Sequence, residues 1–461
     1  MFIHTEQEKK THIETDICIV GAGAAGITLA LALESSGASV CLLESGVLDD
    51  GDSSEGADAL YEFDTDMLPI PSASRRRAFG GTMTIWSGRW KLPDEIDFAT
   101  RAWVPHSGWP IALSSLTPFF ERVRALLHVP DVFRKVEIPT LLQTSDFEPK
   151  LFPMQAESWR NWGIAFGKLF EANKVRVYLG AHVTKIHKTG TRVERVEART
   201  PEGKIVSVMA KRVVLACGGI ENARQLLLND IGSEAVGRFF MDHPKGLTGI
   251  IRAKERHDIT CYWDRPLPER EFIGFRLRDA VQEKERILNT HIFLEPRYEG
   301  YAARIGKKFF GRRATRAIGV RSYMEQSPEP ENRVTLSGTL DSFGLPRAKV
   351  TWNLSELDKK TVFLLHRYLE EAVRNTGLGI LESPLLDSRF PKMQDASHHI
   401  GTTRMGMDVA TSVVDTDCKV HGMENLYIAG SSVFPVSGHA NPTATICALA
   451  LRLADHLKAL M

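Results

Sequence analysis

An α/β fold, α+β when the whole chain is counted, is predicted by three observations. Residues 16–20 form a short apolar run that leads straight into Gly21-Ala22-Gly23-Ala24-Ala25-Gly26 and then into a helical pattern over 27–34. A second apolar run, 39–43, ends on Glu44, 18 residues beyond Gly26. Two later stretches, 211–222 and 426–430, again carry a buried strand into glycine. Strand, glycine turn, helix and strand in this order are the start of a Rossmann-like unit.

Each element of that unit has a physical task. The first glycine permits the tight turn, the second lets a pyrophosphate approach the backbone, and the third lets helix and strand pack closely. The helix N-terminus offers unpaired amides and a partial positive charge to phosphate. Glu44 stands where a carboxylate accepts hydrogen bonds from ribose hydroxyls. The pattern predicts a dinucleotide ligand without separating FAD from NAD.

The 461 residues exceed the usual size of one hydrophobic core, so two structural units are expected, contiguous or interleaved. A net charge of +1 argues against a nucleic-acid partner. Residues 1–14 are polar and no run of about 18 apolar residues follows, so the reading is a cytoplasmic protein without membrane contact. The six cysteines have no metal-ligand spacing and read as reduced, buried thiols; no metal site is predicted. The basic stretch 304–316, with Phe309 and Phe310 inside it, reads as a solvated lid or helix face. A membrane surface or an anionic substrate is its alternative partner.

Near the C-terminus, Asn441 is a good N-cap and Pro442 suits the first helical position. Ile446, Leu449, Ala450, Leu453 and Leu457 then share one face, which predicts a packed helix.

Several stretches in order along the chain carry a resemblance. They are the N-terminal glycine motif, Arg77-Ala78-Phe79-Gly80-Gly81-Thr82, Trp109-Pro110-Ile111, VGRFFMDHP at 236–244, EQSPEPENRVTLS at 325–337, HHIGTTRMG at 398–406, and the run from Ala429 to Leu457. Together they resemble the glucose-methanol-choline (GMC) oxidoreductase family, and within it the pyranose 2-oxidase-like and bacterial sugar- or glycoside-oxidising members.

The resemblance implies FAD, and a Rossmann-like FAD-binding domain assembled from residues 1–95, 155–245 and 385–461. Residues 96–154 and 246–384 would then form a substrate domain on a mixed or antiparallel sheet. It implies cofactor contacts from Gly21, Gly23, Ala24, Gly26, Glu44, Ser45, Arg77, Gly80, Gly81, Thr82, Trp86, Ser87, Val183, Ala216, Gly430, Asn441 and Thr443. Aligned with relatives whose FAD is covalent, GGTMTIWSGR puts Ile85 at the linking position, so noncovalent FAD is expected. Ser87 would lie near flavin N5, and the Trp86 ring reads first as a packing group.

Alcohol oxidation needs a base for the hydroxyl proton and a hydrogen-bonding group for its oxygen. The resemblance puts His398 in the first role, suited by an ordinary histidine pKa near 6.5, and Asn441 in the second. Asn441 serving only as a helix cap is the alternative. His399, its side chain on the opposite face of an extended segment, reads as structural. His439 faces substrate or core with equal weight. The helix starting at Pro442 could stabilise negative charge on the flavin's pyrimidine end. The implied reaction is oxidation of a sugar, glycoside or aminosugar alcohol, with oxygen, a quinone or a redox protein as acceptor. A lyase with structural FAD and a catalytically silent flavoprotein are the alternatives.

Overall fold

The computed structural model describes the chain except residues 49–60, 66, 69–73, 133–140, 143, 261, 266–269 and 300–313. Most of the basic stretch 304–316, and Cys261, therefore lie outside the described residues.

The expected first strand extends over His12–Val20 and is followed by the helix Ala24–Leu33 and the strand Val40–Glu44. Parallel pairing puts Ile17 beside Val40 and Val20 beside Leu215, so the apolar runs are buried on both faces. Their sheet runs in the order Phe2–His4, Arg176–Leu179, Val40–Glu44, His12–Val20, Ile205–Leu215, Arg192–Arg199 and His182–Thr189. Leu426–Ile428 also pairs with Ile205–Leu215, in parallel. The last two strands in the order are antiparallel to their neighbours, which makes the sheet mixed.

A second sheet is antiparallel throughout: Trp263–Arg265, Glu271–Leu277, Thr290–Arg297, Ala314–Met324, Lys245–Asp258 and Gly379–Glu382, with Phe147–Pro153 also on Glu271–Leu277. The helix Glu356–Asn375 covers it. Ser355 caps that helix in a reciprocal box with Asp358, and Val362, Leu365, Leu369 and Val373 form its buried stripe.

The NRVTLS run forms the strand Arg333–Leu340, which lies in a third sheet with Pro346–Thr351 and Tyr61–Asp64. That sheet joins strands from two of the segments the sequence assigns to different units. Val334 is buried while Leu336, two residues on and on the same face, is exposed as the strand runs away from the core.

The C-terminal helix Thr443–Ala459 packs on Ala24–Leu33, and the Thr28 hydroxyl donates to Cys447 Sγ at 3.4 Å. Both helix N-termini open into the same cavity. Among the described residues, no helix is long and apolar enough to cross a membrane.

Candidate active site

The cavity measures about 580 Å³, within the size range of small-molecule and cofactor sites. At one end, Gly21 turns with φ of +102°, and a Cβ there would meet the Ala216 carbonyl oxygen at 2.6 Å. A Cβ on Gly26 would meet the Gly21 oxygen at 1.9 Å, so this glycine closes helix on strand and does not line the cavity. Gly23 differs: a Cβ there would have no atom within 4 Å. The backbone at Gly23 is thus open to a close-lying ligand.

Glu44 joins the strand end to this turn. Its carboxylate accepts from the Ala22 and Gly46 amides, each at 2.8 Å, and from the Ser45 hydroxyl at 3.3 Å. Burial raises its pKa against the opposing pull of those amides. Gly80, at φ +100°, donates its amide to Ala22 oxygen and docks the following turn on the glycine loop without lining the cavity. Ser45, Arg77, Gly81, Thr82, Ser87, Val183, Ala216, Gly430 and Thr443 all line it. Trp86 lines it too, but its indole donates to Arg160 oxygen at 2.6 Å and meets Trp90 edge to face, the expected packing role.

At the other end stand His398 and Asn441. Asn441 makes no side-chain capping bond; Pro442 already adopts helical angles, and Asn441 Nδ2 lies 3.5 Å from His398 Nε2. His398 Nδ1 lies 2.7 Å from Nδ1 of His243, whose Nε2 is 2.8 Å from Gly438 oxygen. A carbonyl only accepts, so His243 carries its proton on Nε2. Burial lowers the His243 pKa to about 4 and keeps the ring neutral, so its Nδ1 accepts. His398 must then donate from Nδ1, which leaves the Nε2 lone pair toward Asn441. Burial, then the neighbouring His243, holds the His398 pKa well below the usual histidine range. The Asp242 carboxylate accepts the His398 amide at 3.1 Å and fixes the backbone beneath the ring.

His399, expected to be structural, is also a residue of the cavity lining. Its ring packs 5.8 Å from that of Phe240, and its buried Nε2 has no hydrogen-bond partner among the described residues. The segment is not a strand: Ser397 has φ of +63°. His439 is not brought to the cavity. It is buried, its Nε2 2.7 Å from Asp94 Oδ2 and its Nδ1 3.1 Å from His291 Nδ1. That carboxylate also meets Arg276 at 3.3 Å, so the ring belongs to a buried charge network.

Sequence reasoning did not single out Arg75, Arg76, Arg89, Lys245, Tyr323 or His243. The run Arg75-Arg76-Arg77 was a signal for an anion beside the glycine loop, and His243 sits in a stretch already quoted as family-like. The cavity fits FAD on three counts. The Gly23 backbone is approachable; Arg75, Arg76 and Arg77 offer charge to a pyrophosphate; and buried Ser74 Oγ and His399 Nε2 have hydrogen-bonding capacity unused by described residues. Burial lowers the Arg77 pKa in spite of Glu221 and Glu44, as expected of a cation with room for an anion.

Comparison with known proteins agrees. Residues 16–239 match a family described as FAD dependent oxidoreductase, and residues 328–450 match GMC oxidoreductase. The chain thus carries a GMC oxidoreductase C-terminal domain behind a stretch that matches FAD-dependent oxidoreductases. Its relatives include 2-methyl-1,2-propanediol dehydrogenase of Mycolicibacterium austroafricanum, 23% identical over 96% of this chain and 95% of that protein. The fructose dehydrogenase large subunit of Gluconobacter japonicus is 28% identical over 57% of this chain, and the match spans only half of that subunit. Formate oxidase has the same fold, with a TM-score of 0.64 at 18% identity, over 98% of this chain and 99% of that one.

Proposed function

We propose that this protein acts as a GMC oxidoreductase and oxidises a CH–OH group of a sugar, glycoside or aminosugar to a carbonyl, with His398 as the base and noncovalent FAD as cofactor. The carrying observation is the His398 ring: buried, neutral, and held in the tautomer whose Nε2 lone pair faces the cavity. When bound, FAD supplies the acceptor for the hydride leaving the carbinol carbon at flavin N5. His398 Nε2 takes the hydroxyl proton and Asn441 Nδ2 donates to the same oxygen, a pairing supported by their 3.5 Å separation. The N-terminus of Thr443–Ala459 faces the cavity and favours negative charge there. The fructose dehydrogenase relative supports a sugar-like substrate.

On this reading residues 1–95, 155–245 and 385–461 hold the cofactor, and 96–154 and 246–384 shape the substrate side. Ile85 lines the cavity and has no nucleophilic atom, which favours noncovalent binding. Gly21, Gly23, Glu44, the Gly81-Thr82 turn and the segment at Asn441 would hold the cofactor. All five described cysteines are free, which suits a reducing, cytoplasmic setting. Anaerobic mixing of the holoprotein with a panel of sugars should bleach the flavin, and acid precipitation should leave the yellow colour in the supernatant. No bleaching by any alcohol rejects the oxidation; colour retained in the pellet rejects noncovalent binding.

A further inference from the structure

We infer that the hairpin tip at Phe343, from the part of the chain assigned to the substrate side, packs on the adenine of the cofactor, with His182 as the second ring of that subsite. The inference rests on the FAD reading proposed above and deepens it. Residues 246–384 were expected to shape the substrate side, yet Asp341, Phe343 and Leu345 line the same cavity as Glu44 and His182. They sit between the strands Arg333–Leu340 and Pro346–Thr351, so one hairpin of the third sheet reaches into the cofactor cavity.

A chain of contacts puts this tip at the Glu44 end. The Ala181 amide donates to the Glu44 carbonyl oxygen at 2.9 Å. His182 follows at the start of the strand His182–Thr189, and its ring centroid lies 4.3 Å from that of Phe343 at a tilt of 37°. The hairpin is fixed from within and from below. Asp341 Oδ1 accepts the Phe343 and Leu345 amides at 2.9 and 3.0 Å, and Oδ2 accepts from Arg224 at 2.7 Å. Arg224 is buried on the helix Gly218–Leu228 and donates to the Pro346 oxygen at 2.8 Å as well, so both ends of the loop are tied to a helix whose first residues line the cavity. Phe343 itself is only half-buried, which leaves ring surface that the protein does not cover. Burial, then Arg77, lowers the His182 pKa to about 4, so that ring is neutral. With the flavin at the His398 end, the purine is the uncharged, flat aromatic part of FAD left for two neutral rings beside Glu44.

The test uses the full chain freed of flavin and titrated with ADP or UDP in a calorimeter. The two probes share ribose and diphosphate and differ in the ring, so the arginines of the cavity act on both alike. The parent should bind ADP about tenfold more tightly than UDP, and Phe343→Ala should remove most of that margin while UDP affinity stays within about twofold. Phe343→Tyr keeps the ring and should keep the margin. FAD affinity, followed by flavin fluorescence, should fall about tenfold with Phe343→Ala and recover with Phe343→Tyr. If Phe343→Ala does not fold, Phe343→Leu, which keeps apolar bulk without a ring, carries the same comparison. ADP and UDP binding alike in the parent overturn the inference. So does an ADP margin that survives Phe343→Ala, and a loss of thermal stability alongside that intact margin assigns the ring to packing of the hairpin alone. Nucleotide binding needs neither His398 nor flavin reduction. An ADP margin that depends on Phe343, in a protein whose flavin no alcohol bleaches, upholds this inference and defeats the oxidation reading instead.

Discussion

At the glycine-loop end of the cavity the working groups are mainly backbone amides and one carboxylate between Gly21 and Gly46, with Arg75, Arg76 and Arg77 beside them. At the His398 end they are side chains from separated segments: Ser87 and Arg89, His243 and Lys245, Tyr323, His398, and Asn441. The first end is built by local chain geometry and the second by convergence of two sheets and a helix terminus. Damage to the first should therefore appear as lost folding or lost cofactor, and damage to the second as lost chemistry with the cofactor retained.

The largest effect expected is His398→Ala, which should slow flavin reduction by about two to four orders of magnitude with flavin content unchanged. Stopped-flow reduction at the parent rate would remove His398 as base. Next come two glycines of one motif with opposite outcomes. Gly26→Ala forces a Cβ to 1.9 Å from the Gly21 oxygen and should cost about 3 kcal/mol or more, read by denaturant unfolding of the apoprotein. Gly23→Ala meets no atom within 4 Å, so the apoprotein should unfold as the parent does while its FAD affinity falls. Equal stability losses at both positions would break the local reading of this end.

His243→Asn should lower the reductive rate about tenfold to a hundredfold, less than loss of the base itself, and should change its pH profile because His398 loses the partner that sets its tautomer. A residue that only packed would change stability and leave the pH profile alone. At the other end, Glu44→Gln keeps the shape but loses charge-assisted acceptance; FAD affinity should fall about tenfold, with the rate of the loaded fraction unchanged.

The smallest effect belongs to neither end. His366 is buried on the helix that covers the second sheet, with Nε2 2.9 Å from Thr248 Oγ1, and burial lowers its pKa to about 3. The unfolded chain takes up this proton below about pH 6.5 and the folded chain does not, so stability falls as pH drops from there toward 3. His366→Gln should flatten that slope by up to about 1.4 kcal/mol per pH unit, measured by urea unfolding at a series of pH values. An unchanged slope would show that this ring does not govern the acid response.

The glycine-loop end was legible because its information is sequential. Strand, turn, helix and acid follow one another, and the order alone brings Glu44 to the Ala22 amide. His398 and Asn441 were nameable from motif position, although nothing local says that Asn441 leaves its helix uncapped and turns to His398. His399 was read from strand alternation, and Ser397 at φ +63° shows that this segment is not a strand, so alternation gives no information on its side. His439 could not be placed at all, since its partners Asp94 and His291 are more than a hundred residues away in sequence.

The amino-acid order thus determined by itself the Rossmann-like unit, the helices with their apolar stripes, and the chemical types available for oxidation, because each depends on neighbours within about a turn or a strand pair. Only the tertiary structure decided which histidine stands behind His398, that His243 leaves its proton on Nε2, and that Arg89 reaches Tyr323, opposite Lys245 in the sheet. Those outcomes depend on sheet register and on the burial of polar atoms against segments far away in the chain. Hydrogen-bond direction and desolvation are properties of that assembled interior.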